Sequence, residues 1–181
     1  LMLDFIGFSE KVTTLDPGVT VTELNDIYSA FDRIGEQFGC ERIKTVGDAY
    51  VTVAGVPDPT PDHAKSVANA AIRFVRYLER RNASHPHQWQ CRIGLATGSV
   101  IGSVVGIQKY VYDIFGPAVH LATQLQNFSS PMEISVQDEM ARSLNDLFEM
   151  TDQGARMIPG FSEQPVWRLL DNRKTPAGRA V

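Results

Sequence analysis

Two aspartates stand where strand-like runs of apolar residues end. Asp4 follows Leu1-Met2-Leu3, with Gly7 shortly after it, and Asp48 sits at the Gly47-Asp48 corner of RIKTVGDAYVTV, residues 42–53. Glycine and aspartate both favour turns, so a solvated hairpin tip is a sufficient account of the second acid taken alone. If the first strand lies beside that hairpin in a sheet, the two carboxylates converge at one edge. Two carboxylates that close repel, and burial raises the pKa of at least one unless a divalent cation sits between them. Hard oxygen ligands completed by water and phosphate suit Mg²⁺ or Mn²⁺. Spacing alone leaves two unrelated turn acids as the plainer alternative. Lys44, four residues before Asp48, is likewise either a surface lysine on an edge strand or part of a site. Neither GxxxxGK[ST] nor a strand–helix GxGxxG occurs, so phosphates would be handled by metal and not by a glycine cradle.

The elements that must position these acids follow from periodicity. Residues 1–5 read as a buried strand, and Asp16-Pro17-Gly18 as a loop. Thr22 is a candidate cap for a helix to Phe38, with Leu24, Ile27, Phe31, Ile34 and Phe38 on one face and Gly39 ending it. The 42–53 hairpin comes next, then a helix capped by Asp62 through Val67, Ala71, Val75 and Leu78. Strands at 89–96 and 99–106 are expected to form a hairpin about Thr97-Gly98-Ser99. A strand at 112–115 ends at Gly116-Pro117, where proline suits the first turn of a helix over 118–127. A strand at 132–136, a short helix at 137–144 and a final hairpin ending at 166–170 complete the chain. This order predicts an α+β fold: a ferredoxin-like βαββαβ core, helices on a mainly antiparallel sheet, and additional C-terminal strands and helix. The expected domain is 1–170, with a disordered tail at 171–181.

At 181 residues, 43% hydrophobic and 21% charged, the chain has the composition of one soluble globular domain. A net charge of −4 argues against non-specific nucleic-acid binding but leaves a local site for an anionic nucleotide open. Cys40 and Cys91 make no disulfide framework and no metal spacing, which suggests small core residues in a reducing, cytoplasmic compartment. No signal peptide is visible, and the nearly apolar run 93–105 is too short to span a bilayer. Because the chain opens inside a strand, a longer protein with membrane or sensory segments elsewhere is expected.

LDFIGFS and RIKTVGDAYVTVAGVP, followed by CRIGLATGSVIGSVVG, KYVYDIFGPAVHLATQLQ and GFSEQPVWRL, resemble in order and separation the motifs of class III nucleotidyl cyclase catalytic domains. The resemblance runs from Leu1 to about Leu170. It implies a head-to-tail homodimer with active sites at the interface and two Mg²⁺ or Mn²⁺ ions per site. It also implies metal binding by Asp4, Asp48 and the backbone of Phe5 in one chain. From the partner chain it implies a purine-reading pair at the positions of Lys44 and Asp113. Adenine offers an acceptor at N1 and a donor at N6, which an ammonium and a carboxylate complement, whereas guanine reverses the pattern. Lys44 with Asp113 therefore points to ATP, cyclised by attack of its 3′-hydroxyl on the α-phosphate with release of pyrophosphate.

The chain departs from the family pattern on the helix GPAVHLATQL. The usual asparagine and arginine, one helical turn apart, are matched by His120 and Gln124 as the catalytic candidates. Loss of a charged donor there would cost about 2.7–4 kcal/mol of transition-state stabilisation, by analogy with oxyanion-site deletions. The phosphate-binding lysine is matched by Pro159, with Arg156 and Lys109 as candidate substitutes. Three readings follow: an adenylate cyclase of reduced activity, a regulatory cyclase-homology module that binds nucleotide without turnover, or the metal-supplying half of a heterodimer.

Overall fold

Alternation along the first strand decides which face of the sheet is core and which is site. In the computed structural model, which describes residues 1–106 and 110–173, β1 spans Met2–Phe5. Leu1, Leu3 and Phe5 are buried, while Met2 and Asp4, on the other face, are only partly covered. The core face is roofed by α2 (Pro17–Gln37) and α3 (His63–Asn82), reached after the short helix α1 (Phe8–Thr14). Ile27 and Phe31 of α2 meet Phe74 and Leu78 of α3 in the main core, and the Phe31 and Phe74 rings stack with centroids 4.4 Å apart.

Asp16 caps α2, accepting from Gly18 N at 2.8 Å and Val19 N at 3.3 Å, with Pro17 in the first turn. The helix thus begins five residues before the expected Thr22, whose hydroxyl instead donates to Gly18 O from inside the helix. Asp-Pro favours a loop, but it is equally an N-terminal helix signal, with aspartate as cap and proline in the first turn. Helix α1 goes beyond the expected elements; it is two turns long, none of its residues is fully buried, and of its apolar residues Phe8 alone packs against the main core. Asp62 stands at the N-cap of α3 as expected, but its side chain makes no capping hydrogen bond.

Strands β2 (Glu41–Val46) and β3 (Ala49–Val53) form the expected hairpin about Gly47-Asp48, and Gly47 takes a left-handed φ of 60°. The remaining elements are β4 (Cys91–Leu95), β5 (Ile101–Val105), β6 (Val111–Phe115), α4 (Pro117–Phe128), β7 (Ile134–Gln137), α5 (Asp138–Leu144), β8 (Phe148–Met157) and β9 (Glu163–Asn172). The main sheet runs β2-β3-β1-β4-β7-β9-β8, antiparallel except for the β4–β7 pair. The fold is the expected α+β one, with the ferredoxin-like core at one side of the sheet.

The expected hairpin between 89–96 and 99–106 does not form. Both edges of β4 are taken, by β1 and β7, and β5 pairs instead with β6 in a separate two-stranded sheet. Order also extends past the expected boundary at residue 170. Strand β9 runs to Asn172, and Arg173 donates from Nε to the carbonyls of Asn145 and Phe148 at 2.7 and 3.1 Å. The rest of the tail, 174–181, lies outside the described residues. Among the described residues, no helix is long and apolar enough to cross a membrane.

Candidate active site

The two acids do converge. Asp4 is in register with Ala49, so Asp48 at the preceding turn position lies beside it, and on its other side Asp4 is in register with Arg92 of β4. The Asp4 Oδ2 oxygen accepts from Arg92 Nη2 at 3.0 Å and from Gln126 Nε2 of α4 at 3.4 Å. A cleft of about 460 Å³ is lined by Asp4, Phe5, Gly7, Asp48 and Arg92. Phe5 is 2% exposed and its ring packs on Phe31 and Trp89, so the backbone is what it offers to the cleft.

Electrostatics mark this cleft as short of positive charge. Burial first, and the Asp4 carboxylate alongside it, push the Asp48 carboxyl above its ordinary value, while its own backbone N–H and Arg92 pull it part of the way back. The Tyr28 phenol, 3.4 Å from Gly47 O, is pushed up to about 12, mainly by burial and then by Asp48 and Asp4. Arg92 Nε is buried with no hydrogen-bond partner. Among the described residues no group of three or more His, Cys, Asp or Glu could hold a metal ion. The two carboxylates of Asp4 and Asp48 fit a hard divalent cation that completes its shell with backbone, water and phosphate oxygens.

Lys44 belongs to a different cluster from Asp48, although four residues separate them. A register shift between Arg42 and Lys44 interrupts β2, and Lys44 Nζ reaches across to Asp113 Oδ2 on β6 at 2.6 Å. The Asp113 carboxyl is held below its ordinary range, mainly by the Lys44 hydrogen bond, and its Oδ1 accepts from Ile114 N at 2.8 Å. This ion pair ties β6 of the two-stranded sheet to β2, the edge strand of the main sheet. A cavity of about 400 Å³ is walled by Val51, the register partner of Lys44, by Ile114, which follows Asp113, and by Val53, Val119 and Thr97, and the ion pair itself is outside its lining. His63, at the rim, is spent on local contacts, with Nδ1 2.8 Å from Thr60 O and Nε2 2.8 Å from Thr97 Oγ1.

His120 and Gln124 form a third group on α4. His120 is exposed and its ring stacks on Phe161 at a centroid distance of 5.5 Å. Gln124 is half-buried. Pro159 and Arg156 are exposed, and Lys109 lies outside the described residues. One chain thus pairs Asp4 with Asp48 and Lys44 with Asp113.

Arg92 and Gln126 were missed from sequence. Alternation along β4 carries the signal for Arg92, since it puts residues 92 and 94 on the Asp4 face. Gln126 had no local signal: two residues beyond Gln124 is about 200° around a helix, so it faces the sheet while Gln124 faces away.

A mainly antiparallel sheet with a ferredoxin-like core, an acidic cleft at one strand end and a two-stranded sheet ion-paired to its edge strand defines an α+β domain of a known class. Residues 1–171 match the family described as Adenylate and Guanylate cyclase catalytic domain, and the chain belongs to it. An adenylate cyclase of Mycobacterium tuberculosis is 34% identical over 173 residues, 96% of this chain. The chain spans 39% of that relative's length. A membrane guanylyl cyclase of Dictyostelium discoideum is 37% identical over 154 residues, covering 83% of this chain and 10% of its own. Among solved structures, the guanylate cyclase domain of RhGC from Catenaria anguillulae, in complex with GTP, superposes with a TM-score of 0.91 at 22% identity, covering 95% of this chain and 94% of that one. The adenylyl cyclase CyaB from P. aeruginosa superposes with a TM-score of 0.83 at 23% identity, over 96% and 93% of the two chains.

Proposed function

We propose that this cyclase domain converts ATP to 3′,5′-cyclic AMP and pyrophosphate at the interface of a head-to-tail homodimer. The observation that carries the choice of base is the Lys44–Asp113 pair, whose immediate neighbours Val51 and Ile114 line an apolar cavity. An ammonium donates to adenine N1 and a carboxylate accepts from N6, while Val51, Ile114 and Val119 would flank the flat faces of a purine. The two guanylyl cyclases above are similar in sequence or fold, so the base rests on these residues and not on family membership.

Asp4 and Asp48, with the backbone of Phe5, would hold Mg²⁺ or Mn²⁺. When bound, the cations supply neutralisation of charge at the α-phosphate and favour ionisation of the 3′-hydroxyl. Arg92, already beside Asp4 and with Nε unpartnered, is placed to hold a phosphate oxygen. His120 of the partner chain would orient the ribose by a hydrogen bond, and Gln124 would donate to the crowded α-phosphate without adding charge. A dimer is favoured by the apolar side chains that β5 and β6 leave uncovered: Ile101 is 69% exposed, Val104 58% and Phe115 46%. The domain on this reading runs through β9, in a cytoplasmic part of a longer protein.

A second reading, a regulatory module that binds nucleotide without turnover, draws on His120, Gln124 and Pro159. One experiment separates the two. The purified chain with Mn²⁺ should make cyclic AMP from ATP faster than cyclic GMP from GTP. A preference for GTP refutes the base assignment, and absence of both products with nucleotide still bound favours the module.

A further inference from the structure

Helix α4 lies directly on the sheet at Gly94. A Cβ there would stand 2.0 Å from Ala122 O and 2.4 Å from Gln126 N, so the missing side chain is what lets the helix backbone touch β4. That close approach carries Gln126, 4% exposed, to the buried side of the acidic cleft, where its Nε2 is 3.4 Å from Asp4 Oδ2. Arg92 Nη2 takes the same oxygen at 3.0 Å. Both donors take Oδ2, and among the described residues no donor hydrogen-bonds to Oδ1.

We propose that Gln126 is a positioning residue for metal binding: its amide, with Arg92, fixes the Asp4 carboxylate so that the free oxygen meets a cation shared with Asp48. The inference rests on the reading of Asp4 and Asp48 as cation ligands. Gln126 orients without adding positive charge that would compete with the cation, which a second arginine would do. Its burial between α4 and β4 shields the contact from solvent.

The test is calorimetric titration of Mn²⁺ alone into the metal-free chain. Gln126→Met keeps the volume and removes the donor, and is expected to weaken Mn²⁺ binding by about tenfold, the low end for groups that orient metal ligands. Its thermal unfolding in chelator should stay near wild type. Wild-type Mn²⁺ affinity in Gln126→Met overturns the proposal. A wild-type affinity retained in Asp48→Asn instead overturns the metal reading beneath it, so the two failures are told apart. A second measurement needs no variant to fold: during a Mg²⁺ titration of the native chain, the side-chain amide resonance of Gln126 should shift with saturation. A resonance that stays fixed while Mg²⁺ binds also overturns the proposal.

Discussion

Removing one carboxylate from the acidic cleft should stabilise the metal-free chain while disabling it. Asp48 is partly buried, its carboxyl is raised by burial and by Asp4, and its own backbone N–H and then Arg92, 3.0 Å from Asp4, offset only part of this. Asp48→Asn removes one of the two charges and keeps the shape. The relief is about 1 kcal/mol, the upper size of a partly screened charge interaction. For a domain of this length that raises Tm by roughly 2–4 °C. A carboxyl raised in the folded state binds its proton more tightly there than in the unfolded chain. Its penalty is absent below the ordinary carboxylate pKa and grows as pH rises through the window up to the folded value. The advantage of Asp48→Asn over wild type should therefore be present at pH 7 and fade as pH falls toward 4. Mn²⁺ should reverse the order: at a hundredfold excess over Kd it stabilises wild type by about 2.7 kcal/mol and the variant far less. Differential scanning calorimetry at pH 7 and pH 4, in chelator and in Mn²⁺, reads all four states. A variant that melts below wild type in chelator at pH 7, or gains as much from Mn²⁺, refutes the account of the cleft.

Lys44→Glu should lower kcat/KM for ATP at least tenfold more than for GTP, the worth of one hydrogen bond to a charged group; an equal fall for both shows that Lys44 only fastens β2 to β6. Gln124→Arg should raise kcat about tenfold with little change in KM, because the added charge acts when the α-phosphate is crowded; an unchanged kcat removes Gln124 from the reacting centre. Gly94→Ala should destabilise by about 3 kcal/mol or more, since its Cβ meets helix backbone that has no rotamer to change; denaturant unfolding measures it, and a cost under about 1 kcal/mol means that α4 does not sit on β4 as described.

Elements with one strong local signal were readable before the structure. The 42–53 hairpin, the apolar stripe of α3 and the Pro117 start of α4 each satisfy a period and a boundary at once. What failed was pairing. The run from 93 to 105 alternates well enough for two strands, but nothing within it says that β4 will be flanked by β1 and β7 and that β5 will leave for β6. The site divides the same way. Asp4 and Asp48 were found because both end apolar strands, and Lys44 with Asp113 through the motif resemblance. Arg92 and Gln126 act through tertiary placement: Arg92 by facing Asp4 across a strand pair, Gln126 by a helix seated on a glycine two residues past Arg92.

The β2–β3 hairpin sends Lys44 to one cluster and Asp48 to another. If two chains meet head to tail as proposed, each hairpin serves both sites, so defects are inherited by site and not by chain. A Lys44→Glu chain alone, or an Asp48→Ala chain alone, spoils both sites of its homodimer. Mixed together, the two can pair so that one site collects both defects and the other has none. Random equimolar mixing makes about half the dimers mixed, each with one intact site, and restores roughly a quarter of the wild-type sites. Two inactive alleles would then rescue one another in the same cell when one strikes Lys44 and the other Asp48, and would fail to do so when both strike the same end of this five-residue stretch.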